Sequence, residues 1–316
     1  MPQPVLSDVH IDAALTDLSV RFSQSEDMFV ANKVFPSVKV PHKSDLYYTY
    51  PREYWFRTDA ELRGPGAESA GSGYETSTDS YNCDVFALHK DIDDQTRANA
   101  DAQITLDRDA TEFVTSHLLQ RREQAFVTEY FAGTVWGTDV TPTNLWDDYA
   151  MGDPIGDLRT GIITMAQETA KKPNKLVLGP QVWDKLQDHP DFLDRIKFTQ
   201  KGIVGTDLLA EMLGLDEVLI PWSVKNTAAE GATAVYDFNF GKNALLVHVA
   251  KSPGLNTASA GYTFQWSGLF GGGSNGIRIK RFRLERNASD RIEAEEALDQ
   301  KVVSTELGYF FDGAVA

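Results

Sequence analysis

The sequence has little cysteine and little positive charge. Cys83 is the one cysteine among 316 residues, so no internal disulfide can form and no thiolate cluster is available to a metal. There are 30 Lys and Arg against 46 Asp and Glu, a net charge of -16, and a surface of that sign repels phosphate. We expect a protein of the reducing cytoplasm, with an unreactive core cysteine and no tight direct binding of nucleic acid.

Long apolar runs are also missing. No stretch approaches the ~20 apolar residues that cross a bilayer, and the beginning, MPQPVLSDVHIDAALTDL, lacks a basic region followed by an apolar one. We therefore expect no membrane span and no standard secretion signal. The 42% hydrophobic and 24% charged residues are ordinary for a globular protein, and the length fits ~2 domains or one domain with a large insertion.

Motifs for catalysis or ligand binding are weak. The six histidines are scattered singly, without metal-ligand spacing. The run GGGSNG (271–276) satisfies both G-x-G-x-x-G and G-x-S-x-G, but IRIKRFRLE follows as a predicted strand where both motifs require a helix. The acidic run DIDD (91–94) lacks the glycine and closing glutamate of a calcium loop. We predict no catalytic residue, no cofactor and no metal.

One segment has the outline of an active site without the chemistry. KLVLGPQVWDKLQDHPDFLDRI (175–196) predicts a buried strand, a Gly-Pro turn and two short helices, a place where many enzymes bind phosphate or carry a nucleophile. Gly179 and Pro180 form the turn, and Val182, Trp183 and Leu186 form an apolar face. No nucleophile stands there, so the segment is interpreted as structural.

Two aromatic runs predict an extended ribbon. LYYTYPREYWF (46–56) and YNCDVFALH (81–89) are rich in strand-forming residues, and the glycine-rich connector ELRGPGAESAGSG (61–73) lies between them. A lone two-stranded ribbon is marginally stable in water, so another surface is expected to cover it. The candidate subunit-interface residues are Tyr47, Tyr48, Tyr50, Tyr54, Trp55 and Phe56. The alternative, that these rings pack on their own domain, is equally open.

The rest of the sequence predicts a short N-terminal amphipathic segment, a long helix, an α/β insertion and a final group of strands. Ile11, Leu15 and Leu18 indicate a short amphipathic segment, and residues 104–133 predict a helix of ~30 residues, ~45 Å long, which we call the spine helix. Asp153-Pro154 opens a second helix. Alternating elements over 155–262 predict a compact α/β insertion, followed by strands. The stretch 291–303 has helix-like propensity but can equally alternate in a strand.

The chain resembles the major capsid proteins of tailed bacteriophages. The resemblance rests on NCDVFALHKDIDDQTRANAD before the long helix, on KLVLGPQVWDKLQDHPDFLDRIKFTQKGIVGTDLLAEMLGLDEVLIP, and on KVVSTELGYFF near the end. It implies an α+β fold with an N-terminal arm (1–40), an extended two-stranded loop (41–90), a peripheral domain with the spine helix (91–154 and 263–316) and an axial α/β domain (155–262). It also implies a strand, not a helix, over 291–303.

The function implied by the resemblance is structural. The chain would assemble through hexamers and pentamers into an icosahedral shell, found in the virion and built in the bacterial cytoplasm, that encloses double-stranded DNA without sequence-specific binding. The expected partners are a portal, possible decoration proteins and, because little sequence precedes the ribbon, a separate scaffolding protein. No lysine lies between Lys43 and Lys90 for the covalent bond that some relatives make from this loop, so we expect non-covalent contacts only.

Two other interpretations remain open. A cellular nanocompartment shell of the encapsulin type would share the fold but enclose an enzyme in place of a genome. A soluble α/β hydrolase or transferase would need a nucleophile, a base and oxyanion donors that the spacing does not assemble.

Overall fold

The computed structural model describes residues 24–100, 105–196, 205–254, 257–270 and 276–316. The predicted amphipathic segment around Ile11, Leu15 and Leu18, the first part of the predicted arm, lies outside these residues. The described chain combines helices with two five-stranded sheets and two two-stranded sheets, in the α+β arrangement expected from the sequence.

The helices are unequal in length, and the spine helix is the longest of those described. They are α1 Ala31–Val34, α2 Arg52–Trp55, α3 Asp94–Ala98, α4 Leu106–Tyr130 (the spine helix), α5 Pro154–Thr169, α6 Pro180–Gln187, α7 Pro190–Ile196, α8 Thr206–Leu213 and α9 Ser267–Phe270.

Fourteen strands are defined in the described residues. They are β1 Ser37–Val40, β2 Ser44–Thr49, β3 Ser77–Asn82, β4 Asp84–Asp93, β5 Thr138–Val140, β6 Lys175–Leu178, β7 Glu217–Leu219, β8 Val224–Asn226, β9 Tyr236–Phe238, β10 Ala244–Val247, β11 Gly261–Trp266, β12 Ile277–Leu284, β13 Ser289–Val302 and β14 Gly308–Phe311.

The first large sheet is organised around β13. This 14-residue strand pairs antiparallel with β4 along one edge and with β12 and then β11 along the other, while β1 adds in parallel to β11. The spine helix packs on this sheet through Val114, Leu118 and Leu119, which contact Ile292 and Ala294 of β13. The resemblance correctly implied a strand over 291–303, in which alternate side chains, including Ile292, Ala294 and Glu296, lie on one face of β13 and are buried against the spine helix.

The second large sheet has the order β5-β14-β10-β6-β7 and is covered on both faces. Leu176, Leu178 and Leu246 belong to a core formed with helices α5 to α8. Val177 and Leu245, from the alternate positions, belong to a second core with the end of the spine helix and α1. The buried face that the sequence predicted for α6, including Val182 and Trp183, lies in the first of these cores.

The two large sheets each combine strands from different predicted segments. β14, in a segment expected to join the peripheral domain, pairs with β10 of the second sheet, with Phe310 opposite Leu245. β5 also belongs to the second sheet, whereas β1 and β4 belong to the first. Long-range pairing of this kind cannot be read from local patterns. The division into arm, loop, peripheral and axial domains stays a prediction.

The spine helix is shorter than predicted. It spans 25 residues, about 38 Å at 1.5 Å per residue. The predicted stop was Gly133, but the helix ends at Tyr130. The next side chain, Phe131, turns inward and packs edge-on against Phe240 and Phe310, with ring centroids 4.8 and 5.5 Å apart. Burying this ring takes precedence over further helical turns.

Candidate subunit-contact surface

The ribbon (residues 44–82) has a paired base and an unpaired tip (residues 50–76). β2 and β3 pair antiparallel from Ser44 opposite Asn82 to Thr49 opposite Ser77. The predicted strand over 46–56 is therefore wrong beyond Thr49, since Pro51 interrupts pairing and residues Arg52–Trp55 form the short helix α2. The prediction for the second strand is also partly wrong, because only Tyr81 and Asn82 of 81–89 pair with β2, and β4 pairs with β13.

The base of the ribbon is packed on the first sheet. The Tyr81 ring stacks on Phe264 of β11 with centroids 4.6 Å apart, and Tyr47 stacks on the same ring at 5.6 Å. The Tyr47 hydroxyl donates a hydrogen bond to Asp79 at 2.8 Å. Burial, and then this bond, raise the pKa of Tyr47, while the same bond holds the pKa of Asp79 below its usual range. At neutral pH the Tyr47 hydroxyl is therefore protonated and the Asp79 carboxylate is ionised. The hydrogen bond and the two stacked rings hold the base of the ribbon against the first sheet.

Cys83 follows directly after the ribbon and is fully buried. Its Sγ lies 3.5 Å from the Phe264 carbonyl oxygen, and burial raises the pKa of the thiol to about 12. A thiol with this pKa is protonated and unreactive at neutral pH. The prediction of an unreactive core cysteine is confirmed.

The tip of the ribbon carries a small aromatic cluster. The rings of Tyr50, Trp55 and Tyr74 lie together, with centroid distances of 6.3, 6.3 and 5.5 Å. They contact one another yet stay open to solvent, with exposed fractions of 43, 60 and 61%. Leu62, further along the connector, is fully exposed. Within the described residues the tip contacts its own subunit through Arg52, whose guanidinium donates to the Glu168 carbonyl at 3.1 Å.

The structure separates the six predicted interface residues into two groups. Tyr47 packs on its own domain, as the alternative interpretation required. Tyr48, Tyr50, Trp55 and Phe56 are exposed on the ribbon, and Tyr54 is half-buried beneath Arg57, whose guanidinium carbon lies 5.4 Å from the ring centroid. The role of these exposed rings in subunit contact stays a prediction.

Sequence reasoning missed two members of this surface. Leu46 and Tyr74 are 63 and 61% exposed, and Tyr74 completes the aromatic cluster. Tyr74 directly follows Gly73, the last residue of the glycine-rich connector, and lies outside both predicted aromatic runs. An aromatic residue at the end of such a connector was the available signal.

The other predicted features carry no assembled chemistry in the described residues. No group of three or more His, Cys, Asp or Glu in this part of the chain is arranged to hold a metal ion. No helix among the described residues is long and apolar enough to cross a membrane. Residues 271–275 of the glycine run lie outside the described residues. Strand β12 begins at Ile277, so the run is followed by a strand, as the sequence predicted. At the Gly-Pro turn, a Cβ on Gly179 would lie 1.7 Å from the Gly241 carbonyl oxygen, so this glycine serves chain packing.

Two curated phage proteins match nearly the whole chain. The major capsid protein of Burkholderia phage BcepMu is 21% identical over 318 residues, covering 96% of both chains. The major capsid protein of Pseudomonas phage JBD67 is 24% identical over 322 residues, covering 97% of both. No protein-family model matches the sequence. Capsid relatives of this extent imply a structural, non-enzymatic role.

Solved structures show the same fold. A phage-related protein from Bordetella bronchiseptica superposes with a TM-score of 0.69 at 17% identity, covering 92% of this chain and 94% of the other. The mature capsid of bacteriophage PhiM1 gives a TM-score of 0.62 at 11% identity, with 93 and 89% covered. An encapsulin complex from Synechococcus elongatus gives 0.54 at 12% identity, with 96 and 95% covered. The element order, the full-length matches and the shared fold agree, and the chain is similar over nearly its whole length to major capsid proteins of tailed bacteriophages.

Proposed function

We propose that this chain assembles with copies of itself into a closed protein shell, and that the tip of the ribbon forms one of the contacts between subunits. The observation that carries the proposal is the cluster of Tyr50, Trp55 and Tyr74, which is assembled and yet exposed at the end of a ribbon whose base packs on the first sheet. Exposed aromatic clusters with a polar surround are typical of protein contact sites.

The geometry of a shell accounts for a projecting ribbon. In a ring of identical subunits each subunit presents one surface to a different surface of its neighbour, so a projecting element can reach across the boundary. Obligate contacts of this type commonly bury more than ~2,000 Å² in total. The rings at the tip would supply the anchor residues of such a contact.

The finer features of the assembly are part of the proposal. We infer an icosahedral shell of hexamers and pentamers that encloses double-stranded DNA, located in the virion after assembly in the host cytoplasm. A portal, a separate scaffolding protein and possible decoration proteins would complete it. The net charge of -16 favours a wall that contains DNA without gripping it.

The shell would be held without covalent links through the ribbon. No lysine lies between Lys43 and Lys90, so the ribbon tip offers no amine for an isopeptide bond. Boiling the assembled particles in denaturant should release single chains, and ladders of linked subunits on a gel would contradict this.

A nanocompartment is the second candidate, favoured by the likeness to an encapsulin complex. The two functions differ in content. Particles purified from infected or induced cells should contain phage DNA protected from nuclease under the first proposal, and an enzyme without DNA under the second.

Electron microscopy tests the proposal directly. The full chain, expressed with a scaffolding protein, should elute at the void volume on size exclusion and form uniform closed particles. A well-behaved single molecule under the same conditions would overturn the proposal.

A further inference from the structure

The chain enters the first sheet along the spine helix. The Gln24 side-chain amide donates to the Gln120 side chain at 3.1 Å and to the Val224 carbonyl at 2.7 Å. Eleven residues later, the Phe35 ring packs against Phe126 at 5.1 Å. Residues 24–35 therefore follow the spine helix in its own direction, and we call them the exit segment.

The exit segment contains a helix that cannot cap itself. In α1 (Ala31–Val34) the N-cap residue is Val30, whose side chain accepts no hydrogen bond. The carboxylate of Glu123 on the spine helix provides the cap instead. The Val30 amide donates to Glu123 Oε1 and Oε2 at 2.9 and 3.1 Å, and the Ala31 amide donates to Oε2 at 2.9 Å. Glu123 is fully buried.

The residue before Glu123 holds the next position of the same segment. Arg122 donates from Nη1 to Asn32 Oδ1 at 3.1 Å and from Nη2 to Glu296 Oε2 of β13 at 2.6 Å. Arg122 is 2% exposed and Glu296 is 0% exposed. Two adjacent charged side chains of the spine helix thus bind three consecutive residues of the exit segment and connect them to the central strand of the first sheet.

Packing alone would not select these residue types. Apolar side chains of similar volume fill a core as well as buried ions do, often with equal or better stability. Buried ions have a different property, because their hydrogen bonds are satisfied in one arrangement only and leave unpaired groups in any other. The hydrogen bonds that Glu123 and Arg122 make to residues 30–32 therefore favour one register of the exit segment on the spine helix.

We propose that Glu123 is a positioning residue for shell assembly, which with Arg122 clamps residues 30–32 and so fixes the register of the exit segment on the spine helix. This inference rests on the proposed shell function. The clamp itself is a property of the single subunit and can be measured there.

The clamp has an expected dependence on pH. Burial raises the pKa of Glu123 to about 7, opposed by the hydrogen bonds from Val30 and Ala31 and by Arg122. Charged groups on the surrounding elements include Lys33 on α1, Arg121 on the spine helix, Glu296 on β13, and Lys175 on β6, whose ammonium donates to the Lys33 carbonyl. In the released segment the pKa of Glu123 returns to about 4.3. Because the closed form has the higher pKa, its stability is complete below about pH 4.3 and is lost as the pH rises to about 7.

Trypsin cleavage after Lys33 reports clamp opening, because Lys33 lies within α1 and is cut only when this helix opens. The full-length, unassembled chain is digested between pH 5.5 and 8.5, and the fragment that begins at Val34 is quantified by mass spectrometry. Glu123→Ala should speed this cleavage roughly 10- to 100-fold, since two buried amides lose their acceptor. Glu123→Gln, which keeps one acceptor oxygen, should be less affected.

The pH profile separates a clamp from general destabilisation. The cleavage rate of the wild-type chain relative to Glu123→Gln should rise about tenfold per pH unit up to about pH 7 and then level. Glu129→Gln, at an exposed position six residues along the same helix, should behave like wild type throughout. A wild-type to Glu123→Gln ratio that is flat with pH, or equal cleavage in Glu123→Ala and wild type, would overturn the clamp.

Assembly provides the second measurement. Scaffold-supplied Glu123→Ala should give irregular or open particles by electron microscopy, with Glu129→Gln giving uniform ones. If wild type and all variants stay unassembled while cleavage after Lys33 still depends on Glu123, the proposed shell function is wrong. The clamp within the single subunit would then still be supported. If Glu123→Ala opens the clamp and yet builds uniform shells, the positioning role is wrong.

Discussion

The ribbon and the spine helix place their side chains in opposite environments. At the ribbon tip, large rings such as Trp55 and Phe56 are exposed. In the middle of the spine helix, charged residues such as Arg122 and Glu123 are buried. Excess apolar surface can be buried only by something outside the subunit, whereas the buried Arg122 and Glu123 bind partners inside it. From this comparison we expect the ribbon tip to serve contacts between subunits and the spine helix to serve the geometry within one.

The largest expected effect comes from breaking the buried ion pair. Glu296→Ala leaves Arg122 charged, buried and without its 2.6 Å partner, which should cost about 3–5 kcal/mol in the free energy of unfolding. Urea denaturation of the unassembled subunit measures it. Glu293→Ala on the same strand, whose carboxylate lies 3.8 Å from Lys280 at a more open position, should cost less than about 1 kcal/mol. Similar losses of unfolding free energy in both variants would show that the buried Arg122–Glu296 pair contributes no more to stability than an exposed pair.

The ribbon base should respond like a core. Tyr81 is 5% exposed and stacks on Phe264, so Tyr81→Ala should destabilise the subunit by about 3 kcal/mol. Urea denaturation again provides the measurement, and Tyr81→Phe, which keeps the stacked ring, is the matched control. A loss in Tyr81→Ala as small as at the tip would mean that the ribbon is not held at its base.

The ribbon tip should respond in the reverse way. Trp55→Ala removes an exposed ring and should change the free energy of unfolding by no more than about 0.5 kcal/mol. The yield of closed particles should nevertheless fall sharply, because the contact loses an anchor. Trp55→Phe should restore much of the yield. Particle yield that is unchanged in Trp55→Ala would show that these rings serve only the subunit itself.

The smallest expected effect is an absence of reaction at Cys83. With its pKa raised to about 12, the thiol should remain unlabelled by iodoacetamide at pH 8 until the chain is denatured. Ser72→Cys in a Cys83→Ser background places a thiol in the exposed tip and should react within minutes under the same conditions. Rapid labelling of Cys83 in the native subunit would show that the ribbon base opens.

Local patterns predicted some elements well and others poorly. The strand at Lys175, the proline-initiated helices and the spine helix have strong local signals, and the structure contains them all. The partner of the strand after Cys83 has no local signal. In the sequence β3 and β4 form one β-rich run, yet β3 pairs with nearby β2 and β4 pairs with β13, about 200 residues away.

The candidate surface and the clamp were unequally predictable. Aromatic density identified the ribbon, because such residues are recognisable by type alone. It could not decide which rings face solvent, since Tyr47 and Tyr48 are neighbours with opposite environments. The clamp residues, in the run QRREQ, read as the solvated face of a helix. Their burial depends on the exit segment and on Glu296, both distant in sequence.

The sequence by itself determined the order of elements, the acidic balance, the solitary cysteine and the absence of lysine from the ribbon, because these are properties of composition and local propensity. Only the tertiary structure decided which aromatic rings are left uncovered and which charges are enclosed. Burial depends on what the rest of the chain brings to each side chain, and those neighbours come from positions far away in sequence.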